Sequence, residues 1–295
     1  MTRTVRDIRS KAGERPITML TAYDAPTAAI CEAAGVDLLL VGDSVGNTSL
    51  GYDSTLPVTV EEIASRTGAV SRATDEALVV SDLPFLSVGI ETAASVRNAG
   101  RMLKEEGANA VKVESGPHTV ELTDRLTDLG IPVMAHLGLT PQRVNEVGYA
   151  QQGTDEEAAA GIRSLAREHE RAGAFSLVLE HVPADLAREL TDELSIPTIG
   201  IGAGPHTDGQ VLVVDDAIGL SERPPPFARS FGDVRGEMQE AIAGFKRGVE
   251  DGSFPDDGAG DGDAGDRGTE DGGTKDRDPD NGEDRDGDPG DDAVQ

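Results

Sequence analysis

The sequence predicts an α/β protein: a (β/α)8 TIM barrel with a disordered acidic C-terminal tail. Eight short runs rich in Val, Ile and Leu recur over the first 220 residues, Ala-rich helical stretches separate most of them, and the last 45 residues abandon both patterns. Apolar runs without polar alternation mark strands buried on both faces, as in a parallel sheet covered by helices. Eight such units favour closure into a barrel over an open doubly wound sheet.

The leader carries Arg3, Arg6, Arg9, Lys11 and Arg15 but no apolar signal core, and reads as a short helix. The first run, 17–22, is followed by a helix over 25–34. The second, 36–41, leads into a loop over 46–57, rich in small polar residues and long enough to fold over a barrel mouth, and then a helix over 60–72. Runs at 77–80, 110–113 and 131–135 precede helices at 91–106, 118–129 and 155–172. The sixth run, 175–179, precedes a helix over 183–193 with Pro183 near its first turn. Runs at 196–201 and 211–214 complete the eight. The stretch Gly200-Ile-Gly-Ala-Gly204 lacks the spacing of a dinucleotide fingerprint and is a weak phosphate signal, since glycines at strand ends also allow close packing.

Charge divides the chain. Residues 251–295 carry 17 acidic and 4 basic side chains with 11 Gly, which leaves 38 acids and 22 bases for the body. With one Phe and almost no aliphatics, the tail cannot bury enough surface to offset the entropy of ordering. The domain reading is therefore a barrel over 1–255 and a disordered, solvating tail over 256–295. A net charge of −29 argues against nucleic acid and anionic lipid as partners. No run approaches the roughly 20 apolar residues of a membrane helix, and the single Cys31 fits a reducing cytoplasm. Five Lys against 21 Arg, with abundant Asp, point to work in concentrated salt, where a short Debye length screens acidic repulsion. The melting temperature is expected to rise between low and molar KCl; a flat response would refute this halophilic reading.

In a (β/α)8 barrel the chemistry sits at the C-terminal ends of the strands. Here those ends read Val41-Gly-Asp-Ser44, Ser81-Asp-Leu-Pro84, Val111-Lys-Val-Glu114, Ala135-His136 and Leu179-Glu-His181. Alternation puts Val111 and Val113 on one face and Lys112 and Glu114 on the other, inside the mouth. Asp43, Asp82 and Glu114 outnumber Lys112 and would repel one another unless a cation joined them. An all-oxygen set favours Mg2+ or Mn2+ over Zn2+. His136 is either a satisfied core histidine or a site residue, and His181 is expected to face solvent or a helix start.

Seven collinear segments then carry a resemblance: Leu20-Thr-Ala-Tyr-Asp24, Val41-Gly-Asp-Ser44, Gly51-Tyr-Asp-Ser-Thr-Leu-Pro-Val-Thr59, Asp82-Leu-Pro-Phe85, Val111-Lys-Val-Glu114, His136-Leu-Gly-Leu-Thr-Pro141 and Ile199-Gly-Ile-Gly-Ala-Gly204. Together they resemble the ketopantoate hydroxymethyltransferase (3-methyl-2-oxobutanoate hydroxymethyltransferase) family over about residues 3–255. The resemblance implies a (β/α)8 barrel that moves a one-carbon unit from 5,10-methylenetetrahydrofolate to 3-methyl-2-oxobutanoate through a Mg-stabilised enolate, giving 2-dehydropantoate for pantothenate and coenzyme A. It implies Asp43, Asp82 and Glu114 as the Mg2+ site and Glu180 as catalytic base. The substrate-binding set is Asp43, Ser44, Asp82, Lys112 and His136. It further implies small-molecule partners, a homo-oligomer and a cytoplasmic enzyme. Where the family usually continues with Val-Gln-Gly-Lys/Arg, this chain reads Tyr149-Ala-Gln-Gln-Gly-Thr154 and lacks a cation. The competing reading is a Mg-dependent 2-oxo-acid lyase or mutase of the phosphoenolpyruvate mutase/isocitrate lyase type, whose Lys-Lys-Cys-Gly-His type loop is missing from this sequence.

Overall fold

The computed structural model describes residues 3–255; the tail assigned to 256–295 lies outside the described residues. The chain divides into two compact units, Met1–Ala241 and Ile242–Gln295. The first holds the barrel and every site residue discussed below.

Eight parallel strands close in sequence order: β1 (Ile17–Thr21), β2 (Leu38–Val41), β3 (Leu78–Asp82), β4 (Ala110–Glu114), β5 (Val133–Gly138), β6 (Ser176–Glu180), β7 (Thr198–Ile201) and β8 (Gly209–Leu212), with β8 pairing back onto β1. The expected runs coincide with these strands to within three residues. β3, β4 and β5 run past the expected ends by two, one and three residues, through Asp82, Glu114 and Gly138. Ladder pairing to neighbouring strands makes Asp82 and Glu114 the last rungs of the sheet rather than the start of loops, and Gly138 pairs with Glu180.

Eleven helices are described: α1 (Val5–Arg9), α2 (Ala25–Ala33), α3 (Val45–Thr48), α4 (Val60–Ser71), α5 (Thr92–Lys104), α6 (Val120–Asp128), α7 (Val144–Val147), α8 (Glu156–Arg171), α9 (Ala184–Glu193), α10 (Val214–Ala217) and α11 (Val234–Asp251). Local chemistry starts them where the sequence does. Thr59 and Glu62 form a reciprocal capping box on α4, and the carboxylates of Asp24 and Asp155 accept first-turn N–H groups of α2 and α8. The short α3 overlaps the start of the loop over 46–57, and α11 was not anticipated from the sequence.

Strand alternation builds two apolar layers. Leu38, Leu40, Leu78, Val80, Ala110, Met134, Val178 and Ile199 fill the barrel, which Ile8 of α1 plugs from below. Leu39, Val41, Val79, Val111 and Val113 point outward into the layer shared with the helices. Each fully buried large side chain contributes roughly 1.5–3 kcal/mol, so both layers hold the strand ends rigidly. At the floor, Asp37 pairs with Lys11 and Arg3 and accepts the N–H and hydroxyl of Thr18. Burial works against the Asp37 carboxylate, but Lys11 and Thr18 outweigh it and hold its pKa below the usual range.

Candidate active site

Five consecutive strand ends supply the polar residues at the mouth. Asp43 follows β2, Asp82 ends β3, Lys112 and Glu114 lie on β4, His136 on β5, and Glu180 ends β6. Register sets them side by side: Asp82 opposite Lys112, Glu114 opposite His136, and Gly138 opposite Glu180. Gly138 is a requirement of this geometry. At φ +98° a Cβ there would meet the Glu180 carbonyl oxygen at 2.1 Å, so only glycine lets the end of β5 lie against Glu180.

The Lys112 ammonium lies 2.7 Å from Asp82 Oδ1. Asp82 Oδ2 accepts the Asp43 N–H at 3.0 Å. Lys112 Nζ also lies 3.4 Å from His136 Nδ1, while His136 Nε2 stands 3.2 Å from Glu180 Oε2, short of hydrogen-bond alignment. An ammonium can only donate, so it occupies the Nδ1 lone pair, and the proton of a neutral imidazole is then on Nε2, facing Glu180. The Ser44 and Tyr23 hydroxyls lie 2.8 Å apart.

Gln142, which sequence reasoning missed, ties three strands together. Its N–H donates to Glu114 Oε2 at 3.0 Å, and its side-chain amide donates to Asp43 Oδ2 at 2.9 Å and to the Leu83 carbonyl at 3.2 Å. The available signal was Pro141, which opens a helical turn whose first N–H groups need outside acceptors.

Burial, then the neighbouring Asp82, raises the Asp43 carboxyl to about 7. Burial and Asp43 likewise push Glu114 well above its ordinary range. Burial disfavours the Lys112 cation, but Asp82, Asp43 and Glu114 outweigh it and keep it charged. His136 is lowered by burial and by Lys112, and is neutral. One cation thus faces four carboxylates, and Glu114 Oε1 is buried with no hydrogen-bond partner. Among the described residues, no three Asp, Glu, His or Cys side chains form a group arranged to hold a metal ion; the carboxylates are held by Lys112, Gln142 and backbone instead. The donor chemistry still fits a hard divalent cation: buried, oxygen-only, acid-rich and with an oxygen left without a partner.

All of Asp43, Ser44, Asp82, Lys112, Glu114, His136 and Glu180 line one cavity of about 1040 Å³. His181 lines it as well, contrary to the expectation that it faces solvent or a helix start. Alternation alone would send it away from Glu180, but a left-handed backbone (φ +48°) turns it inward, where its ring lies 5.5 Å from that of Phe227. The glycines after β7 serve packing: a Cβ on Gly202 would lie 2.9 Å from the Phe227 ring.

A family model for ketopantoate hydroxymethyltransferase matches residues 2–257. The chain belongs to the ketopantoate hydroxymethyltransferase family. The 3-methyl-2-oxobutanoate hydroxymethyltransferase of Natronomonas pharaonis is 71% identical over 252 residues, covering 85% of this chain and 94% of that protein. The enzyme of the same name from Haloarcula marismortui is 65% identical over the same shares, and that of Geobacter metallireducens 47% identical over 87% and 97%. Among solved structures, a phosphoenolpyruvate phosphomutase from Streptomyces platensis subsp. rosaceus aligns with a TM-score of 0.58 at 14% identity, covering 85% of this chain and 88% of that one. A 2,3-dimethylmalate lyase aligns at 0.55 and 18%, covering 84% and 89%. This likeness is one of fold, and the mutase or lyase reading gains nothing further from it. Two of the relatives named here come from salt-loving archaea, in keeping with the acidic composition. No helix among the described residues is long and apolar enough to cross a membrane.

Proposed function

We propose that the protein transfers a hydroxymethyl group from 5,10-methylenetetrahydrofolate to 3-methyl-2-oxobutanoate, giving 2-dehydropantoate for pantothenate and coenzyme A synthesis in the cytoplasm. The observation that carries the reading is Glu180 beside a neutral His136 in a cavity whose neighbouring strand ends hold Asp43, Asp82 and Glu114 near one ammonium. Asp43 and Asp82, with Glu114 completing the site, would hold Mg2+, which when bound supplies Lewis acidity toward the oxo and carboxylate oxygens of a 2-oxo acid.

Glu180 removes the proton from C3 of the substrate. His136, with Nε2 3.2 Å from Glu180 Oε2, is the group that would orient that carboxylate once the two align, and Lys112 meets the negative charge that develops on the substrate oxygens. Ser44, backed by Tyr23, contacts the substrate, and the loop over 46–57 screens the mouth from water. We also take the protein to be a homo-oligomer, supported by Met238, Ile242, Phe245 and Val249 at helical spacing on α11; sedimentation tests this.

Deuterium exchange at C3 of 3-methyl-2-oxobutanoate, measured in D2O with Mg2+ and no donor, is expected for the intact protein. Exchange confined to pyruvate or succinate would favour the mutase or lyase chemistry instead.

A further inference from the structure

The cavity has an outer half that proton abstraction does not use, formed by the chain after β8. Asp215, half-buried there, has a carboxylate oxygen, Oδ2, that is buried without a hydrogen-bond partner. Arg223 and Arg235 line the same cavity, and neither has a carboxylate partner among the described residues; Arg235 spends only its Nε, on the Leu220 carbonyl. Here charges of both signs face one cavity without meeting each other, which leaves each of them to a ligand. The same cavity is lined by the Phe227 and His181 rings, 5.5 Å apart, and His181 holds a left-handed backbone there with its Nδ1 unpartnered.

We propose that this outer half binds the one-carbon donor, with Asp215 taking the 2-amino-4-oxopyrimidine edge of a reduced pterin, Phe227 and His181 packing on its ring system, and Arg223 and Arg235 taking the glutamate carboxylates of its tail. A 2-amino-4-oxopyrimidine presents two parallel N–H donors, the geometry a carboxylate accepts in a bidentate pair, and a guanidinium matches a carboxylate tail in the same way. Aromatic walls favour a planar ring between these two polar ends. The site so described also supplies, from a different loop, the cation missing near Gly153.

The proposal rests on the transferase reading, and binding separates the two. Isothermal titration of the full-length protein would use tetrahydrofolate and 6-methyltetrahydropterin, which lacks the tail. Asp215→Asn is expected to weaken both about tenfold or more. Arg223→Gln, at an exposed position where misfolding is not at issue, is expected to weaken tetrahydrofolate about tenfold and leave the pterin unchanged. In turnover, Arg223→Gln should raise the donor KM and not that of 3-methyl-2-oxobutanoate. If the wild type binds tetrahydrofolate and both variants bind it equally well, the subsite is wrong while the transferase reading stands. If the wild type shows neither tetrahydrofolate binding nor C3 exchange, both fall.

Discussion

The two ends of the barrel bury acids in opposite ways. At the floor, Asp37 meets Lys11, Arg3 and two groups of Thr18, and its pKa is lowered. At the mouth, Asp43, Asp82, Glu114 and Glu180 share Lys112, and burial raises Asp43 and Glu114. The same residue type thus stabilises one end and is left strained at the other. A carboxylate that is fully paired contributes to folding, whereas one left short of partners holds its interaction in reserve for a ligand. Five of the eight orphaned side-chain atoms among the described residues, on Thr55, Glu114, His136, His181 and Asp215, belong to residues lining the mouth cavity; the other three are on Ser71, Ser87 and His169.

The largest effects should come from removing mouth charges and reading activity. Glu180→Gln and Asp82→Asn are each expected to lower turnover at least about a hundredfold, as losing a general base or a metal ligand does. Steady-state rates and C3 exchange check this. Near-normal rates in either variant would mean the roles are misassigned.

A smaller effect should come from between the ends. His169, in the helix layer, is fully buried with Nδ1 3.0 Å from Thr123 Oγ1, and burial lowers its pKa to about 4. Its folded pKa is below its unfolded one, so its contribution is complete above pH 6.5 and is lost as pH falls toward 4. That loss amounts to about 2 kcal/mol at pH 5. The raised Asp43 and Glu114 carboxyls change stability in the opposite direction over the same range, so the check is a difference: urea unfolding at pH 7 and 5 in molar KCl should show wild type losing about 2 kcal/mol more than His169→Gln.

Much of this was legible in the sequence because barrels obey period-two alternation and put chemistry at strand ends. Asp43, Asp82, Lys112, Glu114, His136 and Glu180 all fell within that rule, and the structure gathers them in one cavity. What escaped lies outside the rule. His181 depends on a left-handed backbone that reverses alternation, and Gln142 acts partly through its N–H, which carries no residue-type signal. Asp215 and Arg235 lie in the first turns of α10 and α11, helices the sequence did not announce, and Arg223 lies in the connection between them. Helix α11 was passed over because Gly236, Gly244 and Gly248 weaken its pattern beside the glycine-rich tail.

Smaller again is the response at the floor. Asp37→Ala leaves Lys11 and the Thr18 N–H without their acceptor, and should lower stability by about 1–2 kcal/mol, less than for a fully buried pair because Lys11 reaches solvent. Folded protein should keep its kcat, since Asp37 lies at the opposite end from the cavity. A fall in kcat of the folded fraction would mean that the floor is coupled to the mouth.

The smallest effect has the opposite sign and tests the comparison most directly. Glu114→Gln removes one of the four acids facing Lys112 while keeping a side chain of the same shape that can still accept the Gln142 N–H. If mouth acids are strained when no divalent ion is present, this variant should be more stable than the wild type in EDTA, by about 1 kcal/mol, although it loses activity. Thermal unfolding in EDTA and in excess Mg2+ reads both signs: Mg2+ should raise the wild-type melting temperature more than that of the variant. A Glu114→Gln protein less stable in EDTA would put Glu114 in the same class as Asp37, and the division between the two ends would fail.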